Sequence, residues 1–308
     1  MPRPVQVPEL LRLLAVAALM ALPTTGAAGQ ERQLGFPAAA DVAVRVYNLV
    51  GTTRITGWDR DSIHVRATVP PHGGTLFGGG AGRMAKLGID GQSPSLTGPP
   101  STLEVQVPRG ARIWVKSGTA DVIVTEVRGE LEVSSVTGSV TLNGSPRVAT
   151  IETIDGDVAI TGTATVVRAR TGAGAVRISG ARGDVAVTTV QGLVDLESDE
   201  LLSGRIETVS GAVDIRTAVP LDGQLEVETH DGPVTVTLPD AIDARFDLST
   251  IKGEPIVTHF TGDSKRRHER FARFTVGKKS GAGRGASIAV RTFSGPIVIT
   301  TRSNRTAR

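Results

Sequence analysis

Cysteine is absent from the 308 residues. Its absence excludes disulfides, thiolate metal sites, a cysteine nucleophile and an acylated lipoprotein cysteine. Aromatic residues make up only 3 % of the chain, so any core must come from the Val, Ile, Leu and Ala within the 39 % hydrophobic fraction. Long apolar runs are missing as well. The longest, Leu13–Leu22, is ten residues, and a spanning helix needs about 20. Arg3 precedes that run; Pro23 and the small residues Gly26 to Gly29 follow it. Met1–Gly29 therefore reads as a secretory signal peptide, and the remaining chain is expected in the periplasm or at the cell surface. Glycine and proline number 37 and 17. Together they stay below the roughly 25–30 % of low-complexity chains, so a folded core is expected.

Charge is unevenly placed. The net charge is +3. Residues 1–120 carry 12 basic and 7 acidic side chains, residues 121–262 carry 10 and 22, and residues 263–308 carry 12 and 2. Such segregation bears on association and solubility rather than on fold. An acidic body with a basic tail is the plain reading; a basic patch for an anionic partner is the sharper one.

What the chain does have is a repeat. Related units surround Gly138, Gly156, Gly174, Gly192, Gly211, Gly232, Gly253 and Gly295, spaced 18, 18, 18, 19, 21, 21 and 42 residues apart. Positions +2 and +4 from each glycine are mostly apolar, as in Val158/Ile160 and Val194/Leu196; position −5 is apolar too, as in Val133, Ile151 and Val187. Position −3 is Ser135 once and Thr in the other seven units. Period-2 alternation puts +2 and +4 on one face of a strand, and β-branched residues suit that surface. The glycine falls where the chain must turn. One unit cannot bury its own apolar face, but stacked units can. The repeat predicts an all-β parallel β-solenoid, with coils of about 18–21 residues and two strand segments per coil. Turn signals every nine residues also permit an antiparallel sandwich of hairpins. The expected layout is a linker over 30–40, a single solenoid domain over 41–302 and a disordered tail over 303–308. Two interruptions stand out within the domain. Residues 71–100 read as a mobile Gly/Pro-rich loop. Residues 263–285 read as a basic insertion protruding before 286–300 closes the stack, with 264–274 (SKRRHERFARF) suited to a short basic helix.

GWDRDSIHVRA (57–67), VPRGARIWV (107–115) and the T-[VIF]-x-G-x-V-x-[VIL] units together resemble a bacterial β-strand-repeat domain of unknown function, labelled "putative adhesin". The resemblance covers roughly residues 41–301. It implies an exported or envelope-facing solenoid, and some relatives look like envelope-stress proteins. It offers no catalytic residues, and fold alone does not give function.

Catalytic and metal motifs are scarce. No two of His64, His72, His230, His259 and His268 lie at the spacing of a local zinc pair. His230 replaces the usual apolar residue at position −2 and fits an ordinary corner histidine. Glu197, Asp199 and Glu200 could hold calcium weakly, but three acids on a turn are usually just solvated. GGGAGRMAK (78–86) lacks the ending of a phosphate loop. Asp155/Asp157 and Glu130/Glu132 are paired carboxylates of the kind glycoside hydrolysis uses, yet outward acids recur in many coils. The expectation is a non-enzymatic, cofactor-free interaction, adhesin-like or scaffold protein of the envelope, meeting an envelope polymer, anionic lipid or membrane protein and no nucleic acid. Lys265, Arg266, Arg267 and Arg270 are the candidate contacts for an anionic partner. Two alternatives stand beside it: an envelope-stress sensing component with a membrane partner, and a polysaccharide-active enzyme using acids such as Asp155, Asp157 or Asp199.

Overall fold

The structure, a computed structural model, describes residues 29–93, 95–260, 270–277 and 285–302. The expected signal peptide, apart from Gly29, and the expected tail over 303–308 lie outside the described residues, as does most of the basic insertion. Two sheets of 13 strands share one apolar core; both are mostly parallel and neither closes into a barrel. Among the described residues no helix is long and apolar enough to cross a membrane.

The N-terminal end is made by β1 (Gln30–Pro37), β2 (Ala43–Asn48), β3 (Gly51–Trp58), β4 (Ser62–Val69), β5 (Thr75–Ala81), β6 (Met84–Asp90) and β7 (Ser101–Pro108). The chain then alternates between sheets through β8 (Arg112–Ser117), β9 (Asp121–Thr125), β10 (Glu130–Ser135), β11 (Val140–Asn143), β12 (Val148–Asp155), β13 (Val158–Thr161) and β14 (Val166–Ala173). It continues in the same way through β15 (Val176–Ser179), β16 (Gly183–Gln191), β17 (Val194–Glu197), β18 (Leu201–Ser210), β19 (Val213–Arg216), β20 (Gln224–Asp231) and β21 (Val234–Leu238). The C-terminal end holds β22 (Ala244–Thr250), β23 (Val257–Thr258), β24 (Phe271–Val276), β25 (Ala286–Ser294) and β26 (Ile297–Thr301).

From β8 to β21 every pairing is parallel and joins equivalent positions of successive units. Val140, Val158, Val176, Val194, Val213 and Val234 are register partners in turn in the first sheet. Val133, Ile151, Ala169, Val187, Ile206 and Val227 are so in the second. All twelve side chains are buried, and burying each valine or isoleucine stabilises by about 1.5–3 kcal/mol. Hairpin pairing, the alternative the sequence left open, does not occur in this stretch. The one-residue slip after Gly192 is absorbed by a bulge in β18, where Gly183 pairs with Leu201 but Asp184 with Ser203. The extra residue, Leu202, stands exposed.

The corner after each long strand is built from two columns. The serine and threonines at position −3 are all buried, and most give their hydroxyl to a carbonyl at the corner, as Thr171 and Thr189 do to Ala173 and Gln191 at 3.0 Å. The glycines stack on one another. At Gly192, φ is +127° and an added Cβ would lie 2.1 Å from the Gly174 carbonyl oxygen. Both the backbone conformation and the approach of the neighbouring coil therefore require glycine.

The ends do not follow chain order. In the second sheet β25 lies between β20 and β22, and in the first β26 lies between β21 and β23. The last repeat is thus wedged inside the stack and does not close it. The physical reason is the far side of β22. There β24 pairs antiparallel, and Phe274 stacks on the buried Phe246 at 4.8 Å between ring centres, so β22 has only its inner side free for β25. Residues 271–274, expected in a basic helix, are part of this capping strand. The N-terminal end is wedged the same way: β2 lies between β6 and β8, and β3 between β7 and β9. Residues 71–100, read as a mobile loop, instead contain the hairpin β5–β6, whose second strand pairs with β2 along Ala43–Tyr47. Residues 30–37, read as linker, form β1 on the edge of β4.

Candidate interaction surface

Of the four basic residues expected to contact an anionic partner, Lys265, Arg266 and Arg267 lie outside the described residues. Arg270 is exposed just before β24, and its guanidinium donates to the Ile251 carbonyl at 3.3 Å.

Of the acidic candidates, Glu130, Asp157, Glu197 and Asp199 are engaged, whereas Asp155, Glu132 and Glu200 stand exposed. On the outer face of the first sheet, Arg216 reaches Asp195 at 2.5 Å, Asp214 at 3.1 Å and Glu197 at 3.6 Å. Burial opposes its charge, but Asp214 and Asp195 outweigh that and hold its pKa above the ordinary arginine value. Asp199 accepts from Arg182 at 3.1 Å. The cation this cluster would attract is therefore supplied by the chain itself. The recess beside it, about 500 Å³, is lined by Glu197, Asp199, Arg216 and Arg302. Among the described residues no group of three or more His, Asp or Glu is placed to hold a metal. Asp157 accepts from the Ala175 amide at 2.7 Å, tying one coil's turn to the next. Glu130 pairs with Arg147. Glu226 and Glu228 share Arg291, each at 2.8 Å. These exposed pairs are worth about 0–1 kcal/mol each, and they offset part of the negative charge in the middle of the chain.

His230 stacks on Phe293 at 4.6 Å between ring centres, with Lys252 5.1 Å above the Phe293 ring. It belongs to the corner column at position −2, where Ile154, Val190, Val209 and Ile251 are exposed. It is a packed corner residue, as its sequence position suggested.

A different basic cluster was not visible in the sequence. The wedge of β2 brings three strands side by side on the outer face of the second sheet. Arg45 has Lys86 as its partner on β6 and Trp114 on β8. One row along, Ala43 lies between Met84 and Arg112; on the other side Tyr47 lies between Gly88 and Lys116. The result is a groove of about 490 Å³ whose walls include Arg45, Arg83, Lys86, Arg112 and Trp114, with no carboxylate lining it. Among the described residues no ion pair engages these four cations. The nearest row of carboxylates, on β10, begins with Glu130 opposite Arg112, and Glu130 is already held by Arg147. Lys86 Nζ lies 5.1 Å from the Tyr47 ring centre and 5.6 Å from that of Phe77, contacts that hold its chain over the face. The only sequence signal was the basic excess over residues 1–120; which cations meet depends on strand order.

Comparison with known proteins gives a family. Residues 61–300 match the family Toastrack DUF4097. No curated protein matches the chain. Among solved structures, one described as a "putative adhesin" from Parabacteroides distasonis is 11 % identical, with a TM-score of 0.40, covering 88 % of this chain and 97 % of its own. A "putative lipid binding protein" from the same species is 10 % identical, with a TM-score of 0.33, covering 89 % and 97 %. A "putative cell adhesion protein" from Clostridium sporogenes is 10 % identical, with a TM-score of 0.23, covering 89 % and 100 %.

Proposed function

The chain belongs to the Toastrack DUF4097 family, and on that premise we propose that it is an exported, non-enzymatic binding protein of the cell envelope, adhesin-like in action. In this reading residues 1–29 are removed on export. Residues 41–302 act as one parallel β-solenoid, with coils of 18–21 residues, serving as a rigid support for surface contacts. The observation that carries the reading is the groove over β6, β2 and β8. Many of the outward acids are met by nearby arginines, whereas Arg45, Arg83, Lys86 and Arg112 converge with no such partner. Cations gathered without partners on a rigid face are suited to binding an anion, not to supporting the fold. Lys265, Arg266, Arg267 and Arg270 are proposed as a second, weaker contact of the same sign.

Protease digestion of intact, outer-membrane-permeabilised and fully lysed cells tests the location. Digestion at either of the first two stages supports the reading. Protection until full lysis overturns it.

A further inference from the structure

We propose that the groove over β6, β2 and β8 binds an acidic polysaccharide: a chain of sugar rings bearing carboxylates. The inference rests on the reading of the protein as an envelope binding protein and adds the class of its ligand.

Charge selects an anion. Arg45 and Arg112 are exposed on adjacent strands with their guanidinium groups uncommitted, and a guanidinium matches a carboxylate in a two-point hydrogen-bonded pair. Spacing selects a polymer. Neighbouring strands lie about 4.8 Å apart, so Lys86 and Arg45, register partners on β6 and β2, stand close to the length of one hexose unit apart, and the β8 cations continue the set on the diagonal at roughly 7–8 Å. Lys86 and Arg45 occupy one row, and Arg112 and Lys116 fall in the rows to either side of it.

Shape and apolar surface select a sugar. Ala43 and Gly79 leave the trough low between longer side chains, so a ring can come close to the sheet. Trp114 is half-buried in the groove wall and offers ring surface beside the cations, a combination that suits the apolar faces and acidic substituents of uronate rings. A bilayer fits less well. Its surface is flat where the groove is concave. Anionic lipid head groups stand farther apart than the strands. Among the groove-lining residues, Met84 is the one exposed large hydrophobic side chain, 64 % exposed, too little apolar surface to anchor in a membrane.

The test uses the full processed chain and immobilised polygalacturonate, with neutral dextran and phosphatidylcholine–phosphatidylglycerol vesicles as comparators. The groove variant is Arg45→Gln with Arg112→Gln. The control, Arg168→Gln with Arg177→Gln, removes the same charge from exposed arginines elsewhere on the stack. Thermal melting confirms that both fold. The expected result is binding to polygalacturonate and not to dextran, a loss of about tenfold or more in the groove variant, and a change within about twofold in the control. Equal losses in both variants, or vesicles bound more tightly than polygalacturonate, would overturn the inference. Sedimentation with isolated envelopes separates the two levels. Wild-type protein that sediments with envelopes but ignores polygalacturonate sinks the ligand class alone; wild-type protein that envelopes do not retain sinks the binding role itself.

Discussion

Single residues set the spacing of the stack. The corner glycines were legible in the sequence as turn positions, but their second duty was not. All but Gly138, which meets Ala120, lie against the carbonyl of the glycine in a neighbouring coil, a contact between residues 18 or more apart that no local pattern reveals. Gly192→Ala should therefore cost roughly 2–4 kcal/mol, combining backbone strain with a forced separation of two coils. Gly98→Ala, at a position with open space around it and no positive φ, should change stability by no more than about 0.5 kcal/mol. Urea unfolding of the two variants reads the difference, and equal midpoints would show that the coils are not in glycine-on-glycine contact. The threonines at position −3 are legible for a simpler reason. A small hydroxyl in a run of Val and Ile has to find a partner once buried, and the corner carbonyls are the partners within reach.

At the scale of the strand, inward and outward positions followed directly from alternation, because a period of two admits only two faces. The bulge in β18 is the informative exception. Its extra residue, Leu202, is 54 % exposed and lies between two residues that keep their register with β16. Deleting Leu202 should regularise the strand and leave stability within about 1 kcal/mol. Deleting Asp195, from a strand with no bulge, should flip the residues beyond it across the sheet and prevent folding. Circular dichroism and thermal melting of the two deletions decide it; similar behaviour in both would contradict the assignment of Leu202 as the inserted residue. The edges also make sense at this scale. β1 presents Gln, Glu and Arg, and β23 is two residues long, both ways of discouraging a second chain from adding strands.

At the scale of the whole molecule, the sequence located the repeats but not their order. Spacing along the chain says how much material each coil contains; it does not say which neighbour each coil chooses. That choice depends on long-range contacts, such as Phe274 on Phe246 at one end and the β5–β6 hairpin at the other. The candidate site was illegible for the same reason. Arg45, Lys86 and Arg112 are 67 residues apart from first to last and become one cationic face only because β2 is wedged between β6 and β8. A stack built in chain order would place β6 beside β8 instead, and the row of cations would be rearranged.

The central claim is therefore strand order, and the absence of cysteine from the chain allows a clean measurement of it. In one double variant, Ala43→Cys and Arg112→Cys place cysteines on register partners of adjacent strands, within the Cα separation of roughly 4.4–6.8 Å that a disulfide spans. In the other, Met84→Cys and Arg112→Cys lie on strands separated by β2, at roughly twice the strand spacing of about 4.8 Å. Mild oxidation of the folded proteins, read as an intramolecular disulfide by mass spectrometry, should link the first pair and leave the second as free thiols. A disulfide in the second pair and none in the first would contradict the wedge, and the groove with it.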